Sequence, residues 1–491
     1  MSFNSIGFLI FLPVTVIIHY LLPHKVRWVW LLLASYFFYM TWRPEMALLI
    51  FSVTLVSYLG GLAAEHFRKK NDRAGTVLSG VISCGLSIGA LIFFKYFGFL
   101  MENVAGLAAL WGKTISVPDI VLPVGISFYT FQAIGYVIDV AKGKSGAEHH
   151  FGYYALFVSF FPQLVAGPIE KATDLIPRIK AEKKLNRQNI VSGLMKILLG
   201  FFKKIAVADM LAGPVNAIFA DPEKAGSGLT ALGAAMFAVQ IFCDFSGYTD
   251  IAKGAAELLG IELSKNFDKP YSARSLNDFW RRWHISLSGW LRDYVYIPLG
   301  GNRKGEVRTC INLIIVFFVS GLWHGAAWHF IIWGLLHGVL IVFERLTRKL
   351  RDGLWTRIHV SPDGRFVLTL RRIVTFIVVC FLWIFFRAEN MSEAFKVIGT
   401  VFSFKGGSAA GIFTDTASIF IAILSAFLLV LIDSGRIGYS LPVSEGLGQT
   451  NASRVKHVSP GVIILMIWTV ALAWLLLSSS AATSAFIYFQ F

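Results

Sequence analysis

Three histidines stand inside an otherwise apolar stretch of the chain, from Cys310 to Val339. They are His324, His329 and His337, and Trp323 directly precedes the first of them. Imidazole is costly to bury in an apolar span and is therefore a functional candidate. It also releases its proton near pH 7, as a general base must. We take His324 as the main catalytic candidate and leave open whether the other two are core residues with satisfied hydrogen bonds.

The same histidines do not predict a metal site. Helical periodicity places His329 and His337 on one face and His324 on another, so the three rings do not converge. Carboxylates that could complete such a site, such as Asp293, belong to other elements. The four cysteines lack the paired spacing of zinc ligands or of a disulfide framework. We predict no bound metal and no redox chemistry.

The most polar part of the chain, Lys265 to Arg303, is rich in arginine and tryptophan. Arg281, Arg282 and Arg292 are its candidate ligand-binding residues. Because guanidinium groups suit bidentate contacts to phosphate, the segment could bind a phosphate-bearing ligand. On spacing alone the alternative is an interfacial helix whose arginines reach into the headgroup layer.

Continuous helical geometry would give this segment one basic face. The residues that share it, at i, i+3, i+7 and i+11, are Arg281, His284, Ser288 and Arg292. The same geometry would let tryptophans anchor the helix in the membrane interface, namely Trp280, Trp283 and Trp290. Asn277 and Asp293 stand beside the arginines and are candidate supporting residues of the site.

A further polar segment, Asp244 to Asp250, follows an apolar stretch. Asp244 is its candidate supporting residue. A carboxylate buried in the membrane needs a partner of opposite charge, and we predict that the arginines of the next element provide it. The alternative is an ordinary helix end at the interface.

The composition requires a lipid environment for these groups. The chain is 56% hydrophobic and 15% charged, against about 25% charged residues in an ordinary soluble domain. Apolar stretches recur along the whole chain, and they predict about 10 to 12 membrane elements. The net charge of +16 is typical of basic loops beside anionic membrane lipids and does not predict nucleic-acid binding.

Loop charges predict the topology. Basic first and third loops place the N-terminus outside the cytoplasm. Continued alternation would put the basic stretch after Gly167 outside as well, against the same rule. We therefore predict that Tyr153 to Val165 re-enters rather than crosses, ending at the turn of residues 161–168.

We predict one integral membrane domain with three segments. N-terminal transmembrane helices occupy residues 1–115, a catalytic core with re-entrant segments occupies 116–345, and C-terminal transmembrane helices occupy 346–491. The tail after about residue 414 carries no polar constellation, and we expect it to pack against the bundle or to dock a partner.

Three motifs together resemble the membrane-bound O-acyltransferase (MBOAT) family. They are DFWRRWHISLS at Asp278–Ser288, WLRDYVYIPLGGNR at Trp290–Arg303 and SGLWHG at Ser320–Gly325. They are most similar to the bacterial alginate O-acetyltransferase branch. The resemblance covers about Leu122 to Val339 and includes the re-entrant turn and the Asp244 segment.

The resemblance implies the fold and the main residues of the site. The family has an all-α polytopic bundle with re-entrant elements around a central tunnel. The acyl donor enters this tunnel from the cytoplasm and the acceptor from the other side. His324 takes the position of the essential histidine, as general base or acyl-transfer residue. His284 takes that of the second histidine of the bacterial branch, where it would shape or polarise the same tunnel, and Trp323 and Asp244 would support both.

The implied donor is acetyl-CoA, a substrate rather than a tightly bound cofactor, and we place the three arginines near its phosphates. The acetyl group would pass to an extracytoplasmic esterase-like transferase and then to a polysaccharide such as alginate or peptidoglycan. Direct transfer to a hydroxyl is the other route. The expected location is the bacterial inner membrane, in contact with its lipids.

Other functions stay open at this level. D-alanyl transfer to teichoic acid from a carrier protein is a sibling reaction. A proton-coupled transporter also combines buried histidines with broken helices. A non-enzymatic scaffold would leave His324 replaceable without loss of activity.

Overall fold

The chain is helical throughout the part that the computed structural model describes, and no β-strand occurs there. The described residues are 1–118, 120–165 and 167–412, with 420, 423–424, 426, 463–464, 466–471 and 486–487 beyond them. The predicted tail after about residue 414 therefore lies almost entirely outside the described residues.

The first ten helices lie before residue 202. They are α1 (Ile6–Leu21), α2 (His24–Met40), α3 (Met46–Lys69), α4 (Arg73–Leu91), α5 (Phe97–Ala109), α6 (Ile126–Ala141), α7 (Phe151–Ser159), α8 (Phe161–Leu164), α9 (Ala172–Lys180) and α10 (Arg187–Phe201).

The later helices carry most of the candidate residues. They are α11 (Met210–Ala220), α12 (Pro222–Leu258), α13 (Leu276–Arg282), α14 (Ile285–Leu291), α15 (Glu306–His324), α16 (Trp328–Arg357), α17 (Arg365–Arg387) and α18 (Met391–Val401). Three π-helical turns interrupt the helical regions, at Ile92–Tyr96, Phe202–Asp209 and Arg292–Tyr296.

Six helical stretches among the described residues are long and apolar enough to cross a membrane. They are α3, the continuous stretch Arg73–Ala109 formed by α4 and α5, α12, α15, α16 and α17. Helices α1 and α6 are apolar but shorter. The prediction of an all-α polytopic membrane protein is confirmed, and the total of about 10 to 12 membrane elements stays a prediction.

The chain forms two compact units, and the predicted division near residues 115 and 345 stays a prediction. The first unit contains Met1–Ile197 and Thr249–Ser264. Glycines allow its helices to approach closely: a Cβ at Gly60 of α3 would collide with Ser83 of α4, and one at Gly61 would collide with the Tyr136 ring of α6.

The segment predicted to re-enter belongs to this first unit and is broken. Helix α7 has 9 residues and α8 has 4. At 1.5 Å per residue, α7 extends only about 14 Å, less than half of the ~30 Å hydrocarbon layer. Gly125, at φ 75°, lies against the carbonyl of Leu164, where a side chain would collide. Helix α7 is therefore too short to cross by itself, and the re-entry of this segment stays a prediction.

The second unit contains Leu198–Tyr248 and Lys265–Phe491. Its centre is the hairpin of α15 and α16, which turns at residues 325–327. A Cβ at Gly321 would collide with the carbonyl oxygen of Phe330, and one at Gly334 with that of Phe317. The two backbones are therefore in direct contact near the turn, which fixes the relative position of the residues on both helices.

Candidate active site

His324 is the last residue of α15 and is buried, with 4% of its surface exposed. Aromatic rings surround it: the centroid of the imidazole lies 4.8 Å from that of Trp323, 4.9 Å from that of Trp333 and 5.2 Å from that of Phe386. The ring thus lies in a cage of low polarity, where interactions with a developing charge are stronger than in water.

His284 lies between the short helices α13 and α14 and has a left-handed backbone, with φ 45° and ψ 54°. This conformation costs about 1–2 kcal/mol for a residue other than glycine. Asn266 stabilises it, because its Oδ1 lies 3.2 Å from Nδ1 of His284 and accepts a hydrogen bond from the backbone N–H of Ser286. The conformation aims the imidazole into the protein, where it is fully buried.

The hydrogen bonds of Asn266 also define the protonation of His284. A backbone N–H can only donate, so the shared atom of Asn266 is its oxygen, and Nδ1 of His284 is the donor to it. His284 lies outside the six candidate spans, and burial lowers its pKa to about 3. The imidazole is therefore neutral near pH 7, with its lone pair on Nε2.

The structure brings the two candidate histidines to the same indole ring. The ring of Trp323 lies 5.6 Å from that of His284 and 4.8 Å from that of His324. Phe245 packs on the other side of His284, with 4.7 Å between ring centroids. His284, Trp323 and His324 thus form one buried cluster.

The predicted continuous basic helix is wrong. The helix breaks at Trp283 and His284, so His284 turns inward, while Arg281, Ser288 and Arg292 line a cavity. The predicted interfacial anchors are also wrong for Trp280 and Trp283, which are buried in the protein. Helical periodicity requires a right-handed helical backbone at position 284, whereas His284 has a left-handed backbone.

Asp244 forms a buried ion pair, but not with the predicted arginines. Lys204, in the π-helical turn before α11, places Nζ 2.7 Å from Oδ1 of Asp244 and 2.7 Å from Oδ1 of Asp209. The other oxygen of Asp244 accepts a hydrogen bond from the backbone of Ile487 at 2.9 Å. Breaking a buried pair of this kind costs about 3–5 kcal/mol, so Asp244 anchors the residue next to Phe245 and hence the packing around His284.

The other two histidines of the apolar stretch have protein partners. Nδ1 of His329 donates to the carbonyl oxygen of Phe385 at 3.0 Å. Nδ1 of His337 accepts from Nε1 of Trp280 at 3.2 Å. Both are buried core residues; the first bond ties α16 to the backbone of α17, and the second holds the indole of Trp280. No group of three or more His, Cys, Asp or Glu side chains suited to a metal ion occurs in the described part of the chain.

A cavity of about 1440 Å³ opens along α13–α16. Six basic and two acidic residues line it together with apolar side chains. The charged residues are Arg281, Arg292, Arg345, Arg348, Lys349, Arg351, Glu306 and Glu344. The excess of positive charge favours an anionic ligand, and guanidinium groups suit phosphates.

The predicted ligand-binding arginines do not all reach this cavity. Arg281 and Arg292 line it, as does the supporting residue Asn277. Asp293 holds Arg292 through an ion pair of 2.8 Å. Arg282 is absent from the lining, and its Nε pairs instead with Oδ1 of Asp278 at 2.8 Å, stabilising the end of α13.

Sequence reasoning missed the residues that α16 contributes to the cavity. The predicted core ended at residue 345, whereas α16 continues to Arg357. Arg348 and Lys349 are exposed at the cavity and have no ion-pair partner among the described residues. Glu344 accepts from the backbone N–H of Leu276 at 2.9 Å, which ties α16 to the start of α13. The run of basic residues directly after the apolar stretch was the sequence feature that could have indicated these cavity residues.

The cavity follows one face of α15 toward His324. Glu306, Leu313, Phe317 and Ser320 line it from this helix, and a spacing of 18 residues puts His324 at the same angular position as Glu306. From Glu306 to Ser320 the face extends about 21 Å at 1.5 Å per residue. His324 is the next residue on that face, one turn beyond Ser320.

Comparison with known proteins agrees with this architecture. The family model for the membrane-bound O-acyltransferase family matches residues 145–387, which include the hairpin and both candidate histidines. The chain belongs to the membrane-bound O-acyltransferase family and is an O-acyltransferase.

Relatives of known name cover most or all of the chain. The probable alginate O-acetylase AlgI of Azotobacter vinelandii is 34% identical over 100% of both chains. The peptidoglycan O-acetyltransferase of Helicobacter pylori is 36% identical over 77% of this chain and 74% of its own. The teichoic acid D-alanyltransferase of Bacillus subtilis is 27% identical over 70% of this chain and 85% of its own.

Proposed function

We propose that this multi-pass membrane enzyme takes an acetyl group from acetyl-CoA in the cytoplasm and delivers it for O-acetylation of an extracytoplasmic polysaccharide. The observation that carries the proposal is the basic cavity along the face of α15, whose last lining residue on that helix, Ser320, lies one turn before His324. The cavity supplies positive charge for phosphates at its outer end and apolar walls for a narrow acyl-bearing arm farther in.

In this proposal the donor binds by its phosphates. Arg281 and Arg348 line the cavity, and neither has an ion-pair partner among the described residues. Their guanidinium groups can therefore contact phosphate without first losing a carboxylate. Arg345 has such a carboxylate, Glu306, at 2.9 Å, so it shapes the cavity more than it binds.

His324 is the proposed general base. It takes the proton of an acceptor hydroxyl, whose oxygen attacks the carbonyl carbon of the thioester. A carbon–oxygen bond forms, the carbon–sulfur bond breaks, and the proton passes from His324 to the departing thiolate. His284, neutral because of its burial, keeps the cluster around Trp323 in place and adds no charge to it.

The names of the relatives support a polysaccharide as the class of acceptor. Alginate, peptidoglycan and teichoic acid are carbohydrate-containing polymers, and the first two belong to acetylating relatives. We propose relay through an extracytoplasmic esterase-like transferase to an alginate-like exopolysaccharide or to peptidoglycan, at the bacterial inner membrane. D-alanyl transfer from a carrier protein is the second candidate, favoured by the likeness to the Bacillus subtilis protein. A proton-coupled transporter is set aside because the chain is an O-acyltransferase.

The test is acetyl transfer in proteoliposomes that contain the wild type, His324→Ala or His329→Ala. His329 matches His324 in burial, at 5% against 4% exposed surface, but lies outside the proposed chemistry. With labelled acetyl-CoA we expect thioester loss with the wild type and His329→Ala, and none above background with His324→Ala. Turnover with a D-alanyl carrier protein alone would replace the acetyl proposal by the second candidate. Full turnover by His324→Ala would contradict the assignment of the base.

A further inference from the structure

Ser320 occupies the inner end of the cavity. It lines the cavity from α15, its surface is 0% exposed, and His324 follows one helical turn later. Its hydroxyl has no hydrogen-bond partner among the described residues. A buried hydroxyl without a partner costs about 1–3 kcal/mol, so its position requires an explanation.

Several buried hydroxyls in the helices of this chain satisfy themselves locally, whereas Thr15, Thr130, Ser192, Ser246 and Thr249 have no hydrogen-bond partner among the described residues, like Ser320, but do not line the cavity. Ser35 donates to the carbonyl of Leu31 at 2.7 Å, Thr54 to that of Ile50 at 2.7 Å and Ser159 to that of Ala155 at 2.8 Å. Each of these bonds reaches four residues back, the usual solution for a hydroxyl inside a helix. Ser320 does not make the corresponding bond to Val316, although Val316 is in the same helix.

The backbone that carries Ser320 has little freedom to move. The next residue, Gly321, is pressed against Phe330 and Gly334 of α16 so closely that a Cβ would collide. Phe317, one turn earlier, lies against Gly334 and Gly338 of α16. The backbone of Ser320 is therefore held at a fixed place at the end of the cavity, which leaves its hydroxyl only rotation about χ1 and favours a preorganised donor.

We propose that Ser320 is a catalytic residue whose hydroxyl donates a hydrogen bond to the carbonyl oxygen of the thioester. This inference rests on the proposed function. When the acceptor oxygen attacks the carbonyl carbon, the electron pair of the carbon–oxygen double bond moves to the carbonyl oxygen. The Ser320 hydroxyl stabilises that negative charge. When the double bond re-forms, the carbon–sulfur bond breaks and the thiolate takes the proton held by His324.

The direct test compares Ser320→Ala with the wild type in the acetyl-CoA assay. Loss of one such donor lowers kcat by about 100-fold or more, and we expect the KM for acetyl-CoA to stay within about twofold because the phosphate contacts remain. Thermal stability of the purified protein should be equal or higher, because the substitution removes a buried hydroxyl that has no partner. A merely structural role predicts the opposite change in stability.

Ser87→Ala is the matched control. Ser87 is a buried serine of α4 outside the cavity, and its hydroxyl donates to the carbonyl of Ser83 at 2.9 Å. We expect its kcat to stay within about twofold of the wild type, since it contacts no reacting atom. An equal loss in both variants, or wild-type kcat for Ser320→Ala, would overturn the assignment of Ser320.

A further variant separates chemistry from misfolding. Ser320→Cys keeps a similar volume but offers only a weak donor, so we expect a kcat between those of Ser320→Ala and the wild type. A value below that of Ser320→Ala would contradict the proposal. If Ser320→Ala is fully active while His324→Ala is inactive, the role of Ser320 fails and the proposed function stands. If the wild type transfers no acyl group from any thioester, the proposed function itself fails.

Discussion

The outer end of the α15–α16 hairpin is open and basic, whereas its inner end is closed and aromatic. Arg345, Arg348, Lys349 and Arg351 of α16 face the cavity near Glu306 of α15. About 27 Å farther along α15, by helical rise, His324 lies among tryptophan and phenylalanine rings. The hairpin therefore has two environments. The basic outer end suits the binding of an anionic group, and the aromatic inner end suits a reaction in which charge develops.

Under the proposed function, donor binding and chemistry occupy opposite ends of this hairpin. Exposed arginines would bind a phosphate group in competition with water. The ligand would exchange readily, because dissolved salt screens the attraction between exposed charges. In the proposed function, the buried imidazole of His324 would act on a neutral thioester where screening is weak. The account therefore predicts that substitutions at the inner end lower kcat and that substitutions at the outer end raise KM.

The largest expected effect is at the inner end. His324→Ala removes the proposed general base, and kcat should fall by about 10³-fold or more, within the range for acid–base catalysis. The KM for acetyl-CoA, or the affinity for CoA where turnover is too slow, should change less than about threefold. Steady-state kinetics in proteoliposomes measure both, with His329→Ala as the control. A large rise in KM without loss of kcat would show that His324 binds the donor instead.

An intermediate effect is expected at the outer end. The double variant Arg281→Ala, Arg348→Ala removes two charge-assisted phosphate contacts, each worth roughly 1.5–3 kcal/mol. The KM for acetyl-CoA should rise by about 10²-fold while kcat stays within about threefold. The same pair changed to lysine should recover part of the affinity, because lysine keeps the charge but not the bidentate geometry. Equal loss of kcat would contradict the division between the two ends.

A smaller effect is expected from salt. Raising the ionic strength from 0.01 to 0.15 M shortens the screening length from about 30 to about 8 Å. The KM of the wild type for acetyl-CoA should therefore rise severalfold, and its kcat should stay constant because His324 is shielded from solvent. The double arginine variant should show a flatter dependence of KM on salt. A kcat that falls with salt would indicate that solvent ions reach the inner end.

The smallest effect is expected at Arg282. This arginine belongs to the same motif as Arg281, but it pairs with Asp278 and is not part of the cavity lining. Arg282→Ala should leave the KM for acetyl-CoA within about twofold of the wild type, since Arg282 is held in a half-buried pair with Asp278 outside the cavity lining. A rise in KM equal to that of Arg281→Ala would mean that Arg282 also binds the donor.

The types of residues and their positions in the sequence predicted part of this site. A histidine beside Trp323 in an apolar stretch identified His324 as the main candidate. The arginine-rich segment predicted a phosphate site, and Arg281 and Arg292 do line the basic cavity. The sequence could nominate these residues because a polar group in an apolar stretch is visible in the sequence itself, and their roles stay predictions.

The missed features depend on contacts between distant parts of the chain. His284 is left-handed because Asn266, 18 positions earlier, holds it there, and no local pattern reveals that. Asp244 pairs with Lys204, 40 positions earlier, rather than with the nearby arginines. The cavity residues of α16 lie beyond the boundary drawn for the core, since that boundary followed the motifs and not the length of the helix.

Direct binding of CoA tests the central claim most closely, because it separates binding from turnover. Isothermal titration calorimetry would compare the purified wild type, His324→Ala and the double variant Arg281→Ala, Arg348→Ala. The account predicts that His324→Ala binds CoA as tightly as the wild type and that the double variant binds about 10²-fold more weakly. Wild-type affinity in the double variant, or lost affinity in His324→Ala, would contradict the assignment of the basic cavity as the donor site.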